Sequence, residues 1–262
     1  MPVSNGFQLV AGDVALIRSV HEVRLATIDH LAALTGRSYK RTQERLAKLE
    51  ARRYLKLIAR RPEKHVYALG NEAVPLLIEH GYAAAELANR RLREHELKPL
   101  GIRHAVFVAD IHVRLIRLTR ERSCELARWM EGSALWDRVT TRDNVTLPIR
   151  PDALFTIAPP AGQGRAHYFL EADRGTMAHS RMRGKVRAYA AYFQQQRHAK
   201  KYEGMKTFRV ATITETRGRA ESLADEFRSI MQPAWLAAYP VMAVEDVTLE
   251  RLMPELAGPP GG

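Results

Sequence analysis

Cys124 is the only cysteine among 262 residues, so no internal disulfide can form and a reducing cytoplasm is the expected setting. No second cysteine or paired histidine motif accompanies it, which argues against a zinc site and against a cysteine nucleophile. Long apolar runs are missing too: none approaches the roughly 18 residues that a membrane span needs. The opening MPVSNGFQLVAGD lacks the basic-then-apolar order of a secretory leader. No membrane partner is therefore expected. Glycine patterns of the phosphate-loop or dinucleotide type do not occur, so no nucleotide cofactor is expected. Ser133, Ser180 and Ser222 lack a G-x-S-x-G setting, and no pair of histidines has metal-ligand spacing.

Acidic residues are also scarce. Asp and Glu total 29 against 41 Lys and Arg, a net charge of +12 with a pI near 10.1. Such an excess favours polyanionic partners, nucleic acid before a membrane surface. It is concentrated in residues 37–70, where eleven basic residues face only three acidic ones. A solvated helix face explains a few such charges, but hardly so strong a bias. The remaining composition, 46% hydrophobic and 27% charged, is that of a globular chain able to bury a core.

The N-terminal third reads as a winged helix-turn-helix. Val14, Leu16, Ile17 and Val20 have helical spacing. ATIDHLAALTG offers Thr27 as an N-cap and Gly36 as a stop, and Ser38 caps a third helix, SYKRTQERLAKLEARR. On that helix Tyr39, Thr42, Leu46 and Leu49 form an apolar back. Arg41, Arg45, Lys48 and Arg52 cluster within roughly 60° on the front, at 100° per residue. YLKLIAR and HVYAL are strands around the turn RPEK, a hairpin with basic residues at its tip. Lys40, Arg41, Gln43, Arg45, Lys48, Arg52, Arg60, Arg61 and Lys64 are the candidate contacts to double-stranded DNA. Arg41 and Gln43 are the candidates to read base edges, and the basic residues at the hairpin tip are placed to touch phosphates. A small helical domain with a basic surface and no role on DNA is the competing reading. His21, His30 and His65 read as core-edge or surface residues.

Four segments follow from this reading: residues 1–85 as the DNA-binding domain, 86–100 as a helical connector ending near Pro99 and Gly101, 101–250 as a second domain, and 251–262 as a flexible tail. The second domain reads as helix, three strands (CELARWM, PDALFTIAPP, GRAHYFLEAD), helix, strand (TFRVATIT) and helix, a mixed α/β arrangement with helices covering the sheet. Met182, Val186, Tyr189 and Phe193 form one stripe of the helix after GRAHYFLEAD.

Two of these strands carry carboxylates at their ends. If PDALFTI and HYFLEAD pair as an antiparallel hairpin, Asp152 and Glu171 converge at one end of the sheet. Gathered carboxylates repel one another unless a cation joins them, and they suit Mg²⁺, which takes carboxylate oxygens and keeps waters for phosphates. A metal held there would activate water against a phosphodiester.

PD, eighteen residues, then ExD, in this element order, resembles the PD-(D/E)xK nuclease superfamily. Together with the N-terminal winged helix, RPDALF, FLEADRGT and KVRAYAAYF resemble the replication-relaxation family of plasmid and mobile-element proteins over roughly residues 10–230. That resemblance implies a PD-(D/E)xK nuclease-like second domain, with DNA processing or control in plasmid replication, relaxation or mobilisation. It makes Asp152 the metal-bridging carboxylate and Glu171 the second ligand of a Mg-dependent endonuclease, in which Asp173 would join them in holding Mg²⁺. The same fold serving only as a binding scaffold, in an accessory factor or regulator, is the alternative. The lysine of the pattern is replaced by Asp173. Lys185, on the next helix, either supplies the missing ammonium or is an ordinary edge lysine with its head in water. Asp173 either adds a third carboxylate or belongs to a turn with Arg174 and Gly175, followed by a helix cap at Thr176 or Ser180. Arg150 and Arg174 can neutralise the cluster without metal. A homodimer and other replication or mobilisation proteins are the expected protein partners.

Overall fold

The computed structural model describes residues 7–60, 65–160, 164–175 and 177–254. The chain is mixed α/β and divides into two compact units, Met1–Val113 and Arg114–Gly262.

Unit 1 begins with α1 (Ala11–Val23), a two-residue strand β1 (Ala26–Thr27), α2 (Ile28–Thr35) and α3 (Tyr39–Ala51). A hairpin, β2 (Leu55–Arg60) and β3 (His65–Leu69), follows, then α4 (Ala73–Glu79) and α5 (Ala84–His95). The caps expected from the sequence are in place: the Thr27 hydroxyl accepts the His30 N–H at 3.3 Å, and Gly36 closes α2 at φ 68°. Ser38 accepts the Arg41 N–H at 3.4 Å and so starts α3. β3 lies between β1 and β2, antiparallel to both. Leu16, Ile17 and Val20 of α1, Leu31 of α2 and Leu46 and Leu49 of α3 fill the core with Tyr67 and Leu69 of β3. The expected helix end near Pro99 and Gly101 is instead a helix start. Pro99 opens α6 (Pro99–Glu121), where a proline costs least because the first-turn N–H groups have no partner within the helix.

Unit 2 holds the C-terminal end of α6, then β4 (Glu125–Glu131), β5 (Asp137–Thr140), β6 (Thr146–Ile149), β7 (Ala153–Ala158) and β8 (Ala166–Asp173). After these come α7 (His179–Gln194), α8 (Arg197–Lys201), β9 (Arg209–Thr214), α9 (Arg217–Ile230), α10 (Pro233–Leu236), β10 (Val241–Ala243) and α11 (Leu249–Leu252). The main sheet runs β10-β9-β8-β7-β4, with β8, β9 and β10 parallel and β7 antiparallel to both neighbours. The separate β5–β6 hairpin and β10 were not expected from the sequence. Side chains alternate along β8, so Phe169, Glu171 and Asp173 share one face. Phe169 stacks on Tyr189 of α7 at 5.4 Å and meets Phe208 edge-on at 4.9 Å. The α7 cap expected at Thr176 or Ser180 is different in the structure: Ala178 is the N-cap without a side-chain bond, Ser180 lies inside the helix, and Thr176 is outside the described residues.

Candidate functional sites: a cationic helix and a buried carboxylate cluster

α3 turns Thr42, Leu46 and Leu49 inward, all fully buried, and leaves Lys40, Arg41, Gln43, Lys48 and Arg52 exposed. Tyr39, read as part of the apolar back, is 49% exposed at the first turn, outside the packed stripe. Arg45 is also corrected. Its guanidinium does not join the outward row; it grips the fully buried Asp13 of α1 through Nε and Nη2, and Nη2 also donates to the Gln8 carbonyl at 3.0 Å. Burial works against the Asp13 carboxylate, but Arg45 and the Val10 N–H together hold its pKa below the usual range. Arg52 lies 5.2 Å from the Phe7 ring centroid, a cation–π contact. Arg61 and Lys64 fall outside the described residues, and of Arg60 only its backbone pairing with His65 in the hairpin is described. His30, read as a core-edge residue, is 5% exposed and tied to Asp110 at 2.6 Å.

In unit 2, β7 and β8 pair antiparallel as expected, with Ala153 opposite Leu170. The Asp152 N–H donates to the Leu170 carbonyl at 2.9 Å, and Asp152 Oδ2 accepts the Ala172 N–H at 2.8 Å. Glu171, one residue along, is 2% exposed. Its Oε2 accepts from Lys185 Nζ, and its Oε1 accepts from the Tyr189 hydroxyl at 2.7 Å. Lys185 therefore leans over the sheet end. Burial pushes the Glu171 carboxyl up to about 7; Asp152 adds to the rise, while Lys185 and Tyr189 oppose it. Burial disfavours the Lys185 ammonium, yet Glu171, helped by Asp152 and Asp173, raises its pKa overall.

Asp173 is likewise 2% exposed. It accepts from Arg219 Nε at 2.6 Å and from the Gly175 N–H at 3.1 Å, so the turn reading of Asp173 and Gly175 has a bond behind it. Arg219 did not stand out in the sequence. The signal that could have found it is its place three residues beyond Thr216, whose hydroxyl caps α9 at the end of the strand beside β8. Arg150 and Arg174, the alternative partners for the cluster, are engaged elsewhere: Arg150 over Trp136 at 4.9 Å and Arg174 with Glu215 at 2.6 Å.

This donor set does not fit a Mg²⁺ cage as it stands. Both Glu171 oxygens and both Asp173 oxygens accept hydrogen bonds within the protein. Among the described residues no three His, Cys, Asp or Glu side chains converge as metal ligands. A second constellation nearby has the look of nucleophilic chemistry. Ser222 Oγ is 3.3 Å from His179 Nε2, and His179 Nδ1 is 3.2 Å from Glu226. Ser222 sits in the middle of α9, where the neighbouring N–H groups are consumed by helix hydrogen bonds and none is left for an oxyanion. The three side chains, with Arg183 on Glu226, tie α7 to α9.

The family model for replication-relaxation matches residues 17–207. The chain belongs to the replication-relaxation family. The match takes in the exposed row of α3 and all four residues Asp152, Glu171, Asp173 and Lys185, while Arg219 lies beyond it. No curated protein matches this replication-relaxation chain. A solved structure of Bordetella bronchiseptica BpsR, described as the mechanism by which 6-hydroxynicotinic acid regulates its DNA binding, is similar at 16% identity. The similarity covers 47% of this chain and 78% of that one, with a TM-score of 0.26, too low to carry an argument. No described helix is long and apolar enough to cross a membrane.

Proposed function

We propose that this replication-relaxation protein binds double-stranded DNA in plasmid or mobile-element replication, relaxation or mobilisation, using unit 1 as a winged helix. The observation that carries the reading is α3: Lys40, Arg41, Gln43 and Lys48 are exposed on a helix whose other face is locked into the core by Leu46 and Leu49. A cationic front on a rigid back is what a helix laid in the major groove requires. Fluorescence anisotropy with duplex DNA across a salt series tests it. Binding should weaken steeply with salt, and Lys40→Ala or Lys48→Ala should each lower the log–log salt slope by about 1. Affinity that is flat with salt would sink the proposal.

Unit 2, in this reading, is a PD-(D/E)xK-like sheet that serves as a scaffold. Internal cations hold two of its carboxylates, Lys185 on Glu171 and Arg219 on Asp173. Supercoiled plasmid incubated with Mg²⁺ or Mn²⁺ should therefore stay supercoiled with the wild type, Asp152→Ala and Glu171→Ala alike. Metal-dependent nicking by the wild type that both variants lose would establish an endonuclease instead.

A further inference from the structure

At the end of the unit 2 sheet away from the carboxylates, where β8 and β9 begin, two cavities open side by side. One, of about 390 Å³, is walled by Phe193, Phe208, Trp235 and Tyr239. The other, of about 360 Å³, is walled by Arg128, Thr156, Glu203 and Lys206. Arg165, His167 and Thr207 line both, so the aromatic and the cationic chamber share one wall. Each volume lies within the roughly 300–1,000 Å³ range of small-molecule sites.

The chambers differ in what they can hold. Phe193 meets Trp235 edge-on at 6.2 Å and Phe208 edge-on at 5.8 Å, and Trp235 keeps 38% of its surface exposed. Such walls take a flat ring by stacking. In the second chamber three cations, Arg128, Arg165 and Lys206, outnumber one carboxylate, Glu203, and none of the three is in an ion pair among the described residues. Between the chambers His167 shares a hydrogen bond with Thr156 at 2.9 Å. An aliphatic phosphate would leave the aromatic chamber unused, and an uncharged aromatic ring would leave the cations unused.

We infer that the two adjoining cavities together bind one nucleoside phosphate, its base against Trp235 and Phe193 and its phosphate against Arg165 with Arg128 and Lys206. The source is either a free nucleotide or an unpaired nucleotide of a DNA strand. The inference does not rest on α3, which lies in the other unit.

Calorimetric titration of the full chain with dAMP, adenosine, inorganic phosphate and single-stranded dA8 tests it, alongside Trp235→Ala, Arg165→Glu and Arg165→Lys. All three substitutions are at exposed positions, and their melting curves check folding. Binding of dAMP or dA8 should weaken at least tenfold in Trp235→Ala and in Arg165→Glu, and Arg165→Lys should keep most of it. Saturation by dAMP assigns a free nucleotide; binding of dA8 without dAMP assigns a strand. The inference is overturned if neither ligand binds, if either disruptive variant binds as the wild type does, or if phosphate alone binds as tightly as dAMP. Duplex affinity should be unchanged in these variants and reduced by the α3 substitutions, so the two sites fail separately.

Discussion

Lys185 and Glu171 meet inside the fold and titrate as a pair. The Glu171 carboxyl has its pKa raised from 4.5 to about 7, so the folded protein holds a proton that the unfolded chain releases. Its contribution is fully present below about pH 4.5 and is lost as pH rises through about 7. The melting temperature of Glu171→Gln should therefore fall less between pH 5 and 8 than that of the wild type. Lys185→Met should cost about 1–3 kcal/mol at pH 8 and less at pH 5, because the carboxylate then loses its cation. Arg45→Ala should cost about 2–4 kcal/mol, since it strands the buried Asp13, and Asp13→Asn in the same chain should recover part of that; thermal or denaturant unfolding measures both. The proximity of Asp152 to Glu171 was legible because strand pairing and side-chain alternation follow from local pattern. The partners of Asp13 and Asp173 were not, because Arg45 and Arg219 stand 32 and 46 residues away.

Elements with strong periodicity or a good cap were readable: α2 and α3 from Thr27, Gly36 and Ser38, and β7 and β8 from their apolar runs. The β5–β6 hairpin was not, because DRVT and TLPI bury only Val139 and Ile149 deeply, and Pro148 argues against a strand interior. β10 escaped notice because three residues carry too little pattern. Two glycines separate backbone conformation from space. Gly36→Ala meets nothing within 4 Å but sits at φ 68°, so it should cost about 1 kcal/mol from conformation alone. Gly70→Ala would bring a Cβ to 2.0 Å from the Arg53 carbonyl and should abolish the cooperative unfolding transition of unit 1, a loss visible by hydrogen exchange.

Across the whole chain, the division into two compact units makes damage local. Hydrogen exchange on Arg45→Ala should show faster exchange in α1 and α3 and unchanged protection in β8 and β9; equal loss in both would mean one cooperative unit. The units divide inside α6, a helix whose interior carries no turn or linker signal in the sequence. The borders of the main sheet carry a separate consequence. Among the described residues it ends at β4 on one side and at the three-residue β10 on the other. β4 carries Glu125, Arg128 and Glu131 and breaks register between Leu126 and Arg128. Charge and a bulge on one border and brevity on the other deny a second chain a continuous row of amides to zip onto. Concentrated protein should therefore resist fibril formation through the borders of this sheet.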